Sequence, residues 1–182
     1  MREGAVPTIK GIFVMSHVRM LERALGEKGL LELERRFGKS VHFRNAENVP
    51  VSDEVKIIEH VLDLVSGDTT PAAERARLAG ELHFKNFSET PLGKLVLPVF
   101  RSRFKKILLG VNNIAGHVFR GVTFTSKELG EKEVRILMAN NDYPIDHFKG
   151  FFAGWLAYSG LIGSVTAHDR GDNRYEYTIK WR

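Results

Sequence analysis

Polar and ionisable residues crowd one short stretch of the chain, Asn140-Asn141-Asp142-Tyr143-Pro144-Ile145-Asp146-His147. A helix beginning near Pro144 would turn its free backbone N–H groups outward, the arrangement that binds anions. Asp142, Asp146 and His147 could also serve an enzyme as an acid–base or metal-binding set. The plainer reading is a strand-to-helix corner. There an Asn or Asp caps the helix, Pro144 fixes its first turn and Asp146 complements the dipole. Two aspartates at the positive end would repel an anionic ligand, so the corner is the preferred reading.

His83 and His117 are the next candidates, as buried ligands to haem or a metal. Neither has a partner at ligand spacing. His17, His42, His60, His147 and His168 form no His-x-x-x-His or similar pair either. Structural, hydrogen-bonded histidines are therefore expected, and no metal site is assigned. The chain has no Cys, which excludes disulfides, a Cys nucleophile and Cys-ligated zinc or iron–sulfur centres. It also has no Walker loop, Gly-x-Gly-x-x-Gly fingerprint, Gly-x-Ser-x-Gly elbow or zincin helix. No catalytic residue is assigned.

The aromatic residues Phe100, Phe104, Phe119, Phe124, Phe148, Phe151, Phe152 and Trp155 point largely toward one core. Beside Gly150 and Gly154 they could instead leave room for a hydrophobic ligand. The expected lining is Phe100, Phe104, Phe124, Phe148, Phe152 and Trp155, between two helices (92–109 and 145–159) and the sheet. A basic stretch is the alternative. From Lys85 to Arg120, seven basic residues face one acid, Glu89, in a chain of net charge +5. Arg101, Arg103, Lys105 and Lys106 could bind an anion or nucleic acid, whereas a solvated helix face is the simpler account. Arg170-Gly171-Asp172 reads as a hairpin turn rather than an adhesion motif.

These residues need elements to hold them. Ile9–Val14 is β-prone and fits an edge strand, with Ser16 capping a helix that Gly26 ends. A short helix from Leu30 stops at Gly38, and 41–51 reads as a connection. Val55, Ile58, Val61, Leu62 and Val65 mark a helix from Ser52. Pro71 opens another, whose Ala72, Ala76, Ala79 and His83 form a small face suited to close helix approach. The helix at 92–109 has a wide apolar stripe, and Pro98 should kink or split it. After Gly116 the period changes from helical to two. Strands are expected around 122–125, 134–138, 161–168 and 174–181, with a helix at 145–159.

Thr90-Pro91-Leu92-Gly93, Asn140-Asn141-Asp142-Tyr143-Pro144, His147-Phe148-Lys149-Gly150, Ala153-Gly154, Gly160 and Tyr177-Thr178-Ile179-Lys180-Trp181, with Lys10-Gly11-Ile12-Phe13 near the start, carry a resemblance. The chain resembles an uncharacterised family, a domain of unknown function abundant in myxobacteria. That family is distantly similar to the superfamily of haem–nitric-oxide-binding domains, 4-vinyl-reductase-type domains and small vesicle-tethering subunits. The resemblance implies a helical layer on an antiparallel sheet, a hydrophobic cavity between them, and dimers. The vinyl-reductase-type Cys ligands and the Tyr-x-Ser-x-Arg haem-propionate motif are missing, which argues against haem, and no cofactor is expected.

The expected fold is therefore α+β: an N-terminal helical layer packed on a C-terminal antiparallel sheet of β-β-α-β-β order. One domain over 1–182 is expected, mainly helical to 118. Its expected function is non-enzymatic: a ligand-binding or protein-interaction module in signalling or regulation. The expected partner is a protein or a small hydrophobic ligand. A homodimer would cover the tyrosine-rich last strand. The start of the chain shows no signal peptide, no stretch is apolar enough to span a membrane, and the lack of Cys suits the cytoplasm.

Overall fold

The computed structural model describes residues 6–67 and 69–182 and, within them, all side chains other than those at 96 and 99–102. Strand β1 (Thr8–Lys10) leads straight into helix α1 (Gly11–Phe37). β2 (Asn48–Pro50), α2 (Val51–Ser66), α3 (Ala72–Glu89), α4 (Pro91–Leu109) and α5 (Val111–Val118) follow. β3 (Phe119–Arg120), β4 (Thr123–Gly130), β5 (Glu133–Ala139), α6 (Ile145–Tyr158), β6 (Gly163–Asp169) and β7 (Tyr175–Trp181) complete the chain. The α+β class and the β-β-α-β-β order of the last third are as expected.

β1 is the middle strand of a small antiparallel sheet ordered β2-β1-β3, not an edge strand. Helix α1 begins earlier than expected, because the β-prone residues after Lys10 are drawn into it. Phe13, Val14 and Val18 are buried there, and tertiary packing overrides their strand preference. Gly11 makes the transition possible. A Cβ on it would lie 2.3 Å from the carbonyl oxygen of Arg44. Ser16 is inside the helix, its hydroxyl donating back to the Phe13 carbonyl. Gly26, at φ 66°, breaks α1 where the sequence suggests, and Gly38 closes it in the left-handed region at φ 80°.

Thr90 caps α4. Its Oγ1 accepts from Gly93 N at 3.0 Å, and Pro91 takes the first helical position. Thr90→Ala is expected to lower stability by about 1 kcal/mol. At about 2–4 °C per kcal/mol in a domain of this size, a thermal melt should register the loss. Pro98 stays inside α4, and the departure from helical backbone falls later, at Arg103 (φ −136°, ψ 33°). That turn re-aims the end of the helix. Phe104 and Leu108 become buried, and the Leu108 carbonyl accepts from Ser126 Oγ of β4.

The larger sheet is antiparallel and ordered β4-β5-β7-β6. Val134, Ile136 and Met138 of β5 and Tyr177 and Ile179 of β7 are buried on its inner face, as their period of two requires. β7 pairs with β5 on one side and β6 on the other. The tyrosine-rich strand is thus an interior strand already covered within the chain. No second copy is needed to cover it. The β6–β7 turn is built as expected, with Gly171, Asp172 and Asn173 all at positive φ.

Candidate functional site

Four helices bring ionisable side chains to one buried place. His17 comes from α1, Glu54 from α2, and His83 and Asn86 from one face of α3. His147 comes from the first turn of α6, and Tyr143 from the corner just before it. His17, Glu54 and Tyr143 have no exposure, and His83 and His147 are each only 2% exposed. His17 Nε2 lies 3.3 Å from Glu54 Oε1, and His83 Nε2 lies 4.0 Å from the same oxygen. The other carboxylate oxygen, Oε2, accepts the Tyr143 hydroxyl. His83 Nδ1 is 3.0 Å from His147 Nε2, and the Asn86 carboxamide is 2.8 Å from His17 Nδ1.

Burial sets the charge states. It lowers the His83 imidazole from its ordinary value of 6.5 to about 4, against the pull of Glu54. Burial also drives His147 well below the usual range, with His83 and His17 adding to the effect. Burial pushes Glu54 upward, but His83, the His17 hydrogen bond and the Tyr143 hydroxyl outweigh it and hold the carboxyl below its usual range. Tyr143 is raised by its burial and by Glu54, so it remains a hydrogen-bond donor. At neutral pH the pocket therefore holds the Glu54 carboxylate beside the neutral imidazole of His83, with neutral His147 behind it.

Beyond His83 the environment turns apolar. A partly open cavity of about 40 Å³ is walled by His83, Phe84 and Phe87 of α3, by α5 from Val111 to Val118, and by Phe119 and Phe124. Phe148, Phe151, Phe152 and Trp155 of α6 close it. Of the aromatic residues expected to line a cavity, Phe124, Phe148, Phe152 and Trp155 are at this wall. Phe104 is not; its ring packs on Trp155 and Trp181, at 5.9 and 5.1 Å. The Phe100 side chain lies outside the described residues. The helices facing α6 across the space are α3 and α5, where α4 was expected. α5 was not foreseen, because Val111–Val118 is only two turns long and runs directly into β3.

The other candidates separate. Asp142 is exposed and accepts from Asn173, Asp146 pairs with Lys149 at 3.5 Å, and His147 turns inward. Asp146 and His147 line one groove, and Asp142 is not among its lining residues. The corner reading is changed too: Pro144 itself occupies the N-cap, with no capping side chain. On α4, Arg103 and Lys106 are exposed, but Lys105 pairs with Glu128 at 2.6 Å. Glu128 and Glu131 share their groove, so that face is of mixed charge. Arg101 lies outside the described side chains. His117 lies at the end of α5, away from the cluster. Sequence reading missed the cluster, since 17, 54, 83 and 147 have no local spacing in common. Only the inward period of His83 on its helix hinted at it.

A profile described as "Protein of unknown function (DUF2378)" matches residues 6–182. No curated protein matches the sequence. Solved structures do match the fold. A double variant of Tt H-NOX superposes with TM-score 0.70 at 18% identity, covering 96% of this chain and 95% of that one. An oxygen-binding H-NOX domain related to soluble guanylate cyclases gives 0.65 at 17%, with 96% and 95% covered. An H-NOX protein used to probe haem distortion gives 0.64 at 17%, again with 96% and 95% covered.

These matches correct the expectation that argued against haem. It relied on a missing local motif, whereas the fold is the one in which H-NOX proteins carry haem. The space in this chain sets the remaining condition. The cavity of about 40 Å³ is well short of the several hundred Å³ of a typical cofactor site. Both nitrogens of His83 face the polar cluster, so its ring meets the cavity with carbon. In this packing, then, the described residues around the cavity do not present a ligated porphyrin site. Among the described residues no helix is long and apolar enough to cross a membrane.

Proposed function

Since the chain belongs to the DUF2378 family, we propose that it is a non-enzymatic ligand-binding module of sensory or regulatory type. The carrying observation is the ring-walled cavity that shares His83 with the buried polar cluster. A cavity of this size and lining suits a small apolar ligand and stays dry without one. Occupancy would be felt directly by α3 and α6, the two helices in most extensive contact. A protein partner reading their surfaces would then sense the ligand. The absence of Cys fits a reducing compartment such as the cytoplasm.

Native mass spectrometry against the denatured mass tests retention of a ligand. Titration with haemin and with xenon, followed by tryptophan fluorescence, tests uptake. Ala115 lines the cavity and is buried, so Ala115→Phe should fill the space. The expected result is a retained mass or a saturable fluorescence change that this variant loses while its circular dichroism is unchanged. Equal behaviour of both proteins, or no mass and no response, would overturn the reading. A Soret band that depends on Ala115 would identify the occupant as haem.

A further inference from the structure

The buried cluster carries an inference separate from the cavity. We propose that His17 Nε2, Glu54 Oε1 and His83 Nε2 are the protein ligands of one divalent first-row transition ion, of the zinc or ferrous class. One ligand atom from each of these three residues lies within 4.8 Å of the other two. Ligands on a tetrahedral zinc with bonds of about 2.0–2.1 Å stand about 3.3–3.5 Å apart. The His17–Glu54 separation of 3.3 Å already meets that edge. His83, at 4.0 Å from the carboxylate oxygen, is beyond hydrogen-bond reach and within a small adjustment of it.

The surroundings are those of a supported metal site. Each donor residue has its own backing group, the arrangement that orients metal ligands. His83 can donate Nδ1–H to His147 Nε2, leaving Nε2 free for the ion. Tyr143 donates to the far oxygen of Glu54, leaving Oε1 for the ion. Asn86 meets Nδ1 of His17. With an ion on Nε2, that Nδ1 carries the hydrogen and the carboxamide presents its oxygen, an orientation equally compatible with the amide position. Charge points the same way. Glu54 is fully buried, and its hydrogen bonds and ion pairs come from His17, His83 and Tyr143. Buried charges are ordinarily paired or bound to metals. Two imidazoles and a carboxylate suit zinc and iron, and three protein ligands leave at least one position open.

The test uses the full chain, stripped with chelator and titrated with Zn²⁺ and with Co²⁺. Expected are one tightly held ion per chain and an intense visible cobalt absorption of low coordination number. Glu54→Gln and His17→Gln should weaken binding at least tenfold. His42→Gln, His117→Gln and His168→Gln, all at exposed positions, should each leave it unchanged, which excludes these surface histidines as the source. Should the first-named variants fail to fold, Asn86→Ala retains all three donors and should still weaken binding by about tenfold or more. Cobalt absorbing only as its aquo ion would overturn the proposal. So would an affinity unmoved by Glu54→Gln or Asn86→Ala. Neither result bears on the cavity, whose occupant is read by Ala115→Phe.

Discussion

Gly80→Ala should destabilise the protein by about 3 kcal/mol, at the upper end of what overpacking usually costs. For a domain of this length that lowers the melting temperature by about 6–12 °C. A Cβ on Gly80 would lie 1.6 Å from the carbonyl oxygen of His147 and 2.8 Å from Phe151 N. On the facing helix, a Cβ on Gly150 would lie 1.9 Å from the Arg77 carbonyl oxygen. Both obstacles are backbone atoms, which cannot rotate aside, so α3 and α6 must separate. Gly150→Ala should therefore cost a similar amount. Gly154 is the internal control. Its added methyl would meet only the Phe84 side chain, at 3.3 Å, and the cost should stay below about 1 kcal/mol. Urea unfolding of the three variants decides the matter. If Gly80→Ala falls with Gly154→Ala, the helices have slack and the crossing does not fix the site. The crossing also bears on function, because His147 stands on α6 and contacts His83 on α3.

This crossing also marks how far local pattern reaches. A small face on α3 was legible from Ala72, Ala76 and Ala79, and close helix approach was inferred from it. The residue at the closest point is Gly80, beside that face, and its counterpart Gly150 is 70 positions away in the chain. The strands of the larger sheet were legible because one face is buried and the other solvated, which writes a period of two into β5 and β7. The smaller sheet was not. Its strands have two or three residues each, too few to show any period, and backbone pairing across the chain defines them. The same physics hid the buried cluster. A helix advertises its inward face, but a histidine on that face looks the same whether it ends against a carbonyl or a carboxylate. Its partners are fixed only when α1, α2, α3 and α6 meet. Local motif absence likewise misjudged haem, because a fold can persist at 17–18% identity after its motif has gone.

Acidifying the metal-free protein from pH 7 toward pH 4 should cost about 3 kcal/mol of stability through His83 alone. The sign follows from where the proton goes. In the folded chain His83 titrates at about 4, because burial penalises the imidazolium. In the unfolded chain it titrates at its ordinary value of about 6.5. Between these values the unfolded state binds a proton that the folded state does not, so stability falls as pH drops through this window and levels off below it. His147 is lowered for the same reason and acts in the same direction. Glu54 acts further down. Its folded value is below the ordinary carboxyl value of 4.5, so the stability it contributes is present above 4.5 and lost as pH falls through the folded value. Chemical denaturation at a series of pH values measures the net proton uptake on unfolding directly from the slope. In His83→Gln the slope between pH 6.5 and pH 4.5 should shrink by close to one proton, whatever the variant's overall stability. A flat profile in the parent protein across that range would mean that His83 is charged in the folded state. The pocket would then be a closed imidazolium–carboxylate pair, with its charge already balanced by a proton. A steep profile that grows steeper when Zn²⁺ is added would have the opposite meaning: the metal holds the imidazole nitrogens deprotonated in the folded state, so unfolding takes up still more protons, and the carboxylate at the centre of the helical layer is balanced by the ion.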